Sequence, residues 1–145
     1  MPYKSSLLLI IALHACLILS PCTFAASDAH SQGPPAPKGL ILAEAGMCED
    51  IVEQEPRNMG IAFSVSVGKV HCFTAFDHVP EKVPIYHNWY YGEKLTTKIK
   101  LWLKPPRWST FSTIQLREAD KGPWRVEIAD QKGKIIRVLR FSIID

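Results

Sequence analysis

The chain has 145 residues, 17 of them basic and 14 acidic, for a net charge of +3. That near balance, with no recognition-helix or RNP-like motif, is no nucleic-acid signature. The length leaves room for one small domain, large enough to fold alone but with modest stability.

Met1–Lys4 is a short basic start, Ser5–Leu19 is almost wholly apolar, and Ser20-Pro21 breaks the run. Thr23-Phe24-Ala25 then supplies small residues at the −3 and −1 positions of a cleavage site. Residues 1–25 read as a secretory signal peptide cut after Ala25. The apolar run is short for a membrane span of about 20 residues, so no stable transmembrane anchor is expected to remain after cleavage. A lipoprotein signal is disfavoured by Pro21 before Cys22 and His14 two residues before Cys16. The expected location is secreted, in the periplasm. Residues 26–39 form a Pro/Gly-rich linker, and residues 40–145 the folded domain.

Cys48 and Cys72 survive cleavage. In an exported chain an even pair reads as one disulfide, closing a loop of about 25 residues, with two free thiols as the rival reading. A metal site on His71 and Cys72 lacks the partner spacing that zinc ligands require, so no metal and no cofactor is expected.

Leu40–Ile51 reads as a first strand carrying Cys48, ending in a turn around Gln54-Glu55-Pro56-Arg57. From Ile61 the period is two: Phe63, Val65 and Val67 alternate with small residues before a turn at Gly68. Lys69–Phe76 places Val70, Cys72, Thr74 and Phe76 on one face; Asp77–Pro84 is a loop. Ile85, His87, Trp89 and Tyr91 share one side of the next strand, and Gly92-Glu93 makes a tight hairpin. In Lys94–Leu103, residues Leu95, Thr97, Ile99, Leu101 and Leu103 face one way, while Lys94, Lys98, Lys100 and Trp102 face the other. Pro105-Pro106 ends that strand, Arg107–Leu116 forms another, and Ala119–Pro123 turns the chain. A last hairpin follows, with Trp124, Val126 and Ile128 on one strand, a turn at Asp130–Gly133, and Lys134–Ile144 returning. The pattern predicts an all-β fold, an antiparallel β-sandwich of seven or eight strands, immunoglobulin-like, with a small barrel as the alternative.

No Gly-x-Ser-x-Gly elbow, His-Glu-x-x-His or phosphate loop occurs, so no catalytic residue is assigned and the protein is not expected to be an enzyme. His87, Tyr91, Arg107 and Trp108 are the candidate ligand-binding residues: rings beside an imidazole and a guanidinium can stack on a sugar or clamp a peptide. Trp89 and Trp124, at alternate positions in apolar strands, read as core. The lysine face with Trp102 either attracts an anionic partner or keeps an edge strand from pairing with other chains.

The ordered set Met47-Cys48-Glu49, Pro56, Val70–Thr74, His87-x-Trp89-Tyr90-Tyr91, Arg107-Trp108 with Ser112, Gly122-x-Trp124-x-Val126 and Asp130-x-x-Gly133 resembles a bacterial family, domain of unknown function 2914. The resemblance runs from about Leu42 to Ile144. The chain departs from it at Ser109 and Thr113, where similar proteins tend to carry basic residues. The resemblance implies an exported or membrane-tethered β-domain and no particular activity. The function expected is a non-catalytic envelope module that binds a protein or glycan partner; assembly through a strand edge is the first alternative and an uncharacterised enzyme the second.

Overall fold

The computed structural model of the chain describes residues 38–145. The expected signal peptide and nearly all of the linker lie outside the described residues. Nine strands and two single-turn 3₁₀ segments follow in order: β1 (Ile41–Val52), β2 (Glu55–Gly60), β3 (Ala62–Ser64), β4 (Lys69–His78), β5 (Val83–Tyr91), β6 (Lys94–Leu103), β7 (Trp108–Gln115), β8 (Gly122–Ala129) and β9 (Ile135–Ile144). They form a four-stranded sheet, β2-β1-β4-β7, and a five-stranded sheet, β3-β9-β8-β5-β6. Every pairing is antiparallel except that of β3 with β9. The sheets pack as a sandwich, as the period-two pattern predicts.

The core lies between them. Val70, Cys72 and Phe76 of β4 meet Ile85 and Trp89 of β5, Trp124, Val126 and Ile128 of β8, and Phe141 and Ile143 of β9. Alternation is what delivers these residues to one side, since successive side chains on a strand point to opposite faces. The Trp89 and Phe141 rings meet edge to face, their centroids 6.1 Å apart, and the Trp124 ring lies stacked over Phe141.

Four details depart from the sequence reading. The chain does not leave the sheet at Pro56. Glu53 and Gln54 turn it with φ of 52° and 66°, and β2 returns along β1 as an edge strand, where a proline is tolerated because no second ladder is needed. Val65 and Val67 belong to a 3₁₀ turn rather than to a strand. The splitting of the N-terminal part into β1, β2 and β3 brings the count to nine. Finally, a register shift between Trp89 and Tyr90 sets Leu95 opposite Tyr90, so Leu95 leaves the core face and stands 47 % exposed.

The expected Cys48–Cys72 disulfide is not formed: both cysteines are free and buried. The pleat explains why. Cys48 lies opposite His71, and Cys72 lies opposite Met47. Residues directly opposite share a face, so the two thiols point to opposite faces of the four-stranded sheet. Cys72 and Met47 join the core, and Cys48 lies on the outer side with His71. Burial pushes the Cys72 thiol up and holds the Cys48 thiol at about 11.

Candidate functional site

The four residues proposed from the sequence do not converge. His87 and Tyr91 sit on one face of β5, as alternation requires, but His87 is completely buried. Its Nδ1 lies 2.8 Å from the Ser112 hydroxyl and its Nε2 3.5 Å from the Thr74 hydroxyl. Tyr91 closes the far end of β5, its hydroxyl donating to the Lys121 carbonyl at 2.8 Å. Arg107 and Trp108 lie near the other end, past the β6–β7 turn. Val83 pairs with Leu103, and Tyr91 with Lys94, so the two ends of β5 are separated by roughly 27 Å. Arg107 and Trp108 do come together: with Gln54, Phe76 and Asp77 they line an open depression of about 530 Å³. Trp108 also packs against the core, so its ring is only half available.

His87 instead belongs to a buried polar chain that ties the two sheets together. Trp89 Nε1 donates to Ser112 Oγ at 3.0 Å. Thr74 Oγ1 donates to the Thr110 carbonyl at 3.3 Å, which commits its only proton, so it must accept from His87 Nε2–H. Nδ1 is then the acceptor for the Ser112 hydroxyl. Each ring nitrogen makes one bond and each hydroxyl both donates and accepts, and the imidazole is neutral, its pKa pushed down to about 4 by burial. Ser112 and His87 therefore resemble a nucleophile and its base only in composition. Both are sealed, and Ser112 already accepts from an indole.

The outward residues of the same strands make the accessible surface. On the outer face of the five-stranded sheet, β5 presents Tyr86, Asn88 and Tyr90, and β6 presents Lys98, Lys100 and Trp102. β6 is the last strand of its sheet. Trp102 is 47 % exposed, and two ammonium groups lie over its ring, Lys100 at 4.6 Å and Lys82 at 5.2 Å from the centroid. Lys98 lies 4.2 Å from the Tyr86 ring centroid, and the Arg125 guanidinium 4.1 Å from that of Tyr90. Asn88, between the two tyrosines, has an unpartnered Oδ1. Among the described residues, Arg125 is the one cation of this face that is neutralised, by Glu127 and Glu93. Lys104, on the adjoining turn, adds a further cation, 5.0 Å from the Trp108 ring centroid. The arrangement can stack a flat or pyranose-like group on Trp102 while meeting negative charge with three lysines. Sequence pattern singles out the lysines with Trp102 but ranks Trp108 above it; Tyr86 carries no sequence signal of its own.

No three His, Cys, Asp or Glu side chains gather into a metal-binding cluster among the described residues. No helix among them is long and apolar enough to cross a membrane.

The fold and this face define a small two-sheet β-sandwich with a cationic, aromatic edge. Residues 82–143, from β5 to β9, match the model of the family described as protein of unknown function (DUF2914). The match contains His87, Trp89, Ser112 and Trp124, which build the buried chain and the core. The motifs around Cys48 and Val70–Thr74 lie outside the matched stretch. No curated protein matches the chain.

Proposed function

We propose that the protein is an exported, non-catalytic binding module of the cell envelope, and that the outer face around Trp102 takes an acidic polymer such as a uronic-acid glycan. The observation that carries this reading is the pairing of a half-exposed Trp102 with Lys82 and Lys100 across its ring. A tryptophan left at the surface of a sandwich that buries Trp89 completely offers stacking area, and the surrounding lysines favour a negatively charged partner. Sealing of Ser112 and His87 in the core supports a non-catalytic role. The lysines on β6 also oppose strand-edge pairing, which weighs against assembly through that edge.

The test titrates the full chain with a polyuronate and, separately, with a neutral glucan. Polyuronate is bound, the affinity falls as salt rises through the physiological range, and Trp102→Ala weakens it about tenfold, the equivalent of one good stacking contact. Equal affinity for the neutral glucan, or indifference to Trp102→Ala, overturns the reading. Salt-insensitive oligomers with no polymer affinity transfer the function to strand-edge assembly.

A further inference from the structure

The outer face of the four-stranded sheet carries a different chemistry. Register places Met59 of β2, Cys48 of β1, His71 of β4 and Thr113 of β7 in a single cross-strand row. Thr113 holds the imidazole, its Oγ1 lying 2.7 Å from His71 Nδ1. The Phe111 ring stands edge-on to His71 at 5.6 Å, closing that flank. His71 is only 5 % exposed, and its Nε2, across the ring from the Thr113 contact, is buried with no hydrogen-bond partner. An orphaned buried ring nitrogen is uncommon and calls for a physical reason. Beside it is a buried free thiol, that of Cys48. On the far side of that thiol the Met59 side chain lies across Gly46, so close that any Cβ there would collide with its methyl group. Glycine at this position thus gives the thioether room to lie flat on the sheet.

We propose that Met59, Cys48 and His71 form a binding site for one soft monovalent cation, Cu(I). Thiolate, thioether and imidazole together select a soft, electron-rich ion over the hard divalent cations. The spacing suits it: the outer two Cα atoms of a three-strand row are about 10 Å apart, a span that a methionine and a histidine leaning inward close around a central cysteine. Thr113 is a positioning residue. As the acceptor of Nδ1–H it fixes the tautomer that leaves the Nε2 lone pair free for the ion, the arrangement usual for metal-bound histidine. Binding forms an S–Cu bond and releases the Cys48 proton to solvent; no electron is transferred. Cys72, on the opposite face, takes no part.

The experiment uses the full chain with Cys16→Ser and Cys22→Ser, which removes the two thiols outside the described residues. It is titrated anaerobically with Cu(I) against a chromophoric chelator, and in air with Ag(I), which has the same charge and softness without the redox chemistry. One equivalent is bound, with thiolate-to-metal absorption in the ultraviolet and one proton released. Cys48→Ala abolishes the absorption, while Cys72→Ala retains it. Met59→Leu and Thr113→Val each weaken binding about tenfold, with melting curves that report the fold separately. If Cys48→Ala does not fold, these last two decide the matter, because Met59 is half-exposed and Thr113 lies on the outer face. Binding that survives Cys48→Ala, that ignores both Met59→Leu and Thr113→Val, or that prefers Zn(II) to Cu(I) overturns the proposal.

Discussion

Trp89 and Trp102 stand on paired neighbouring strands of one sheet, yet they do opposite work. Trp89 is wholly enclosed, its indole N–H held by Ser112 from the other sheet. Trp102 faces outward, half exposed, with lysine ammonium groups over its ring and no buried partner. Parity along the strand separates them. Trp89 shares the inward set of β5 with Ile85 and His87, whereas Trp102 lies in the outward set of β6 with Lys98 and Lys100. An aromatic residue in a sandwich is therefore a core or a contact according to its register, and its identity alone says neither.

The largest expected break of this comparison is at the core. Trp89→Ala removes a fully buried ring and strands the Ser112 hydroxyl, and should cost about 3–5 kcal/mol. In a domain of this size that is enough to unfold much of the population. Urea unfolding monitored by far-ultraviolet circular dichroism measures it; a loss below about 1 kcal/mol would show that the ring is not the centrepiece of the packing.

Acid should expose the same network through His87. The unfolded imidazole binds its proton near the ordinary 6.5, whereas in the fold it does so only near 4. The unfolded state thus holds the extra proton between these values. Stability from this group is complete above about pH 6.5 and declines as the pH falls toward 4, by about 3 kcal/mol in total. Urea midpoints taken at pH 7.5 and pH 4.5 report the loss. In His87→Gln the difference between the two midpoints should shrink, and an unchanged difference would assign the acid sensitivity to other groups.

Ser112→Ala is the next smaller change. It leaves the Trp89 indole N–H without its acceptor and His87 Nδ1 without its donor, for a cost of about 1–3 kcal/mol. Ser112→Thr keeps the hydroxyl and should recover part of the loss if the added methyl group fits. A cost under about 0.5 kcal/mol from the alanine variant would mean that water enters and replaces the serine.

Much of this comparison is legible in the amino-acid sequence. The alternation in β4, β5, β6 and β8 assigns Trp89, Trp124 and the inward valines and isoleucines to the core, and it puts the lysines outside. What it misses are events of register. The bulge beside Trp89 inverts Leu95 relative to the rest of β6, and nothing local in Lys94–Thr97 announces it. The turn at Glu53-Gln54 contains no glycine or asparagine, so it does not read as a left-handed hairpin. Pairing of the cysteines fails for a similar reason. Cysteine count and spacing in sequence allow a bridge, but the one-residue offset between Cys48↔His71 and Met47↔Cys72 sends the thiols to opposite faces. The role of His87 is out of reach of sequence pattern because Ser112 and Thr74 come from the other sheet, 25 and 13 residues away along the chain.

The smallest expected effect on stability is also the one that bears most directly on function. Trp102→Ala removes a ring that is half in solvent already and fills no internal space, so the melting midpoint should move little, with a cost within about 0.5 kcal/mol. The ammonium groups of Lys82 and Lys100 over the ring lose their cation–π contact with it, a small effect at an exposed site where water resolvates them. Against this near silence in stability, polymer affinity should fall about tenfold, and Lys98→Ser with Lys100→Ser should weaken it further while flattening its salt dependence. The two readouts must be taken on the same preparations. A Trp102→Ala variant that is as unstable as Trp89→Ala would make Trp102 a structural residue that happens to lie at the surface. The outer face of β5 and β6 would then lose the stacking platform on which the binding reading depends, leaving the lysines only the task of keeping a sheet edge soluble.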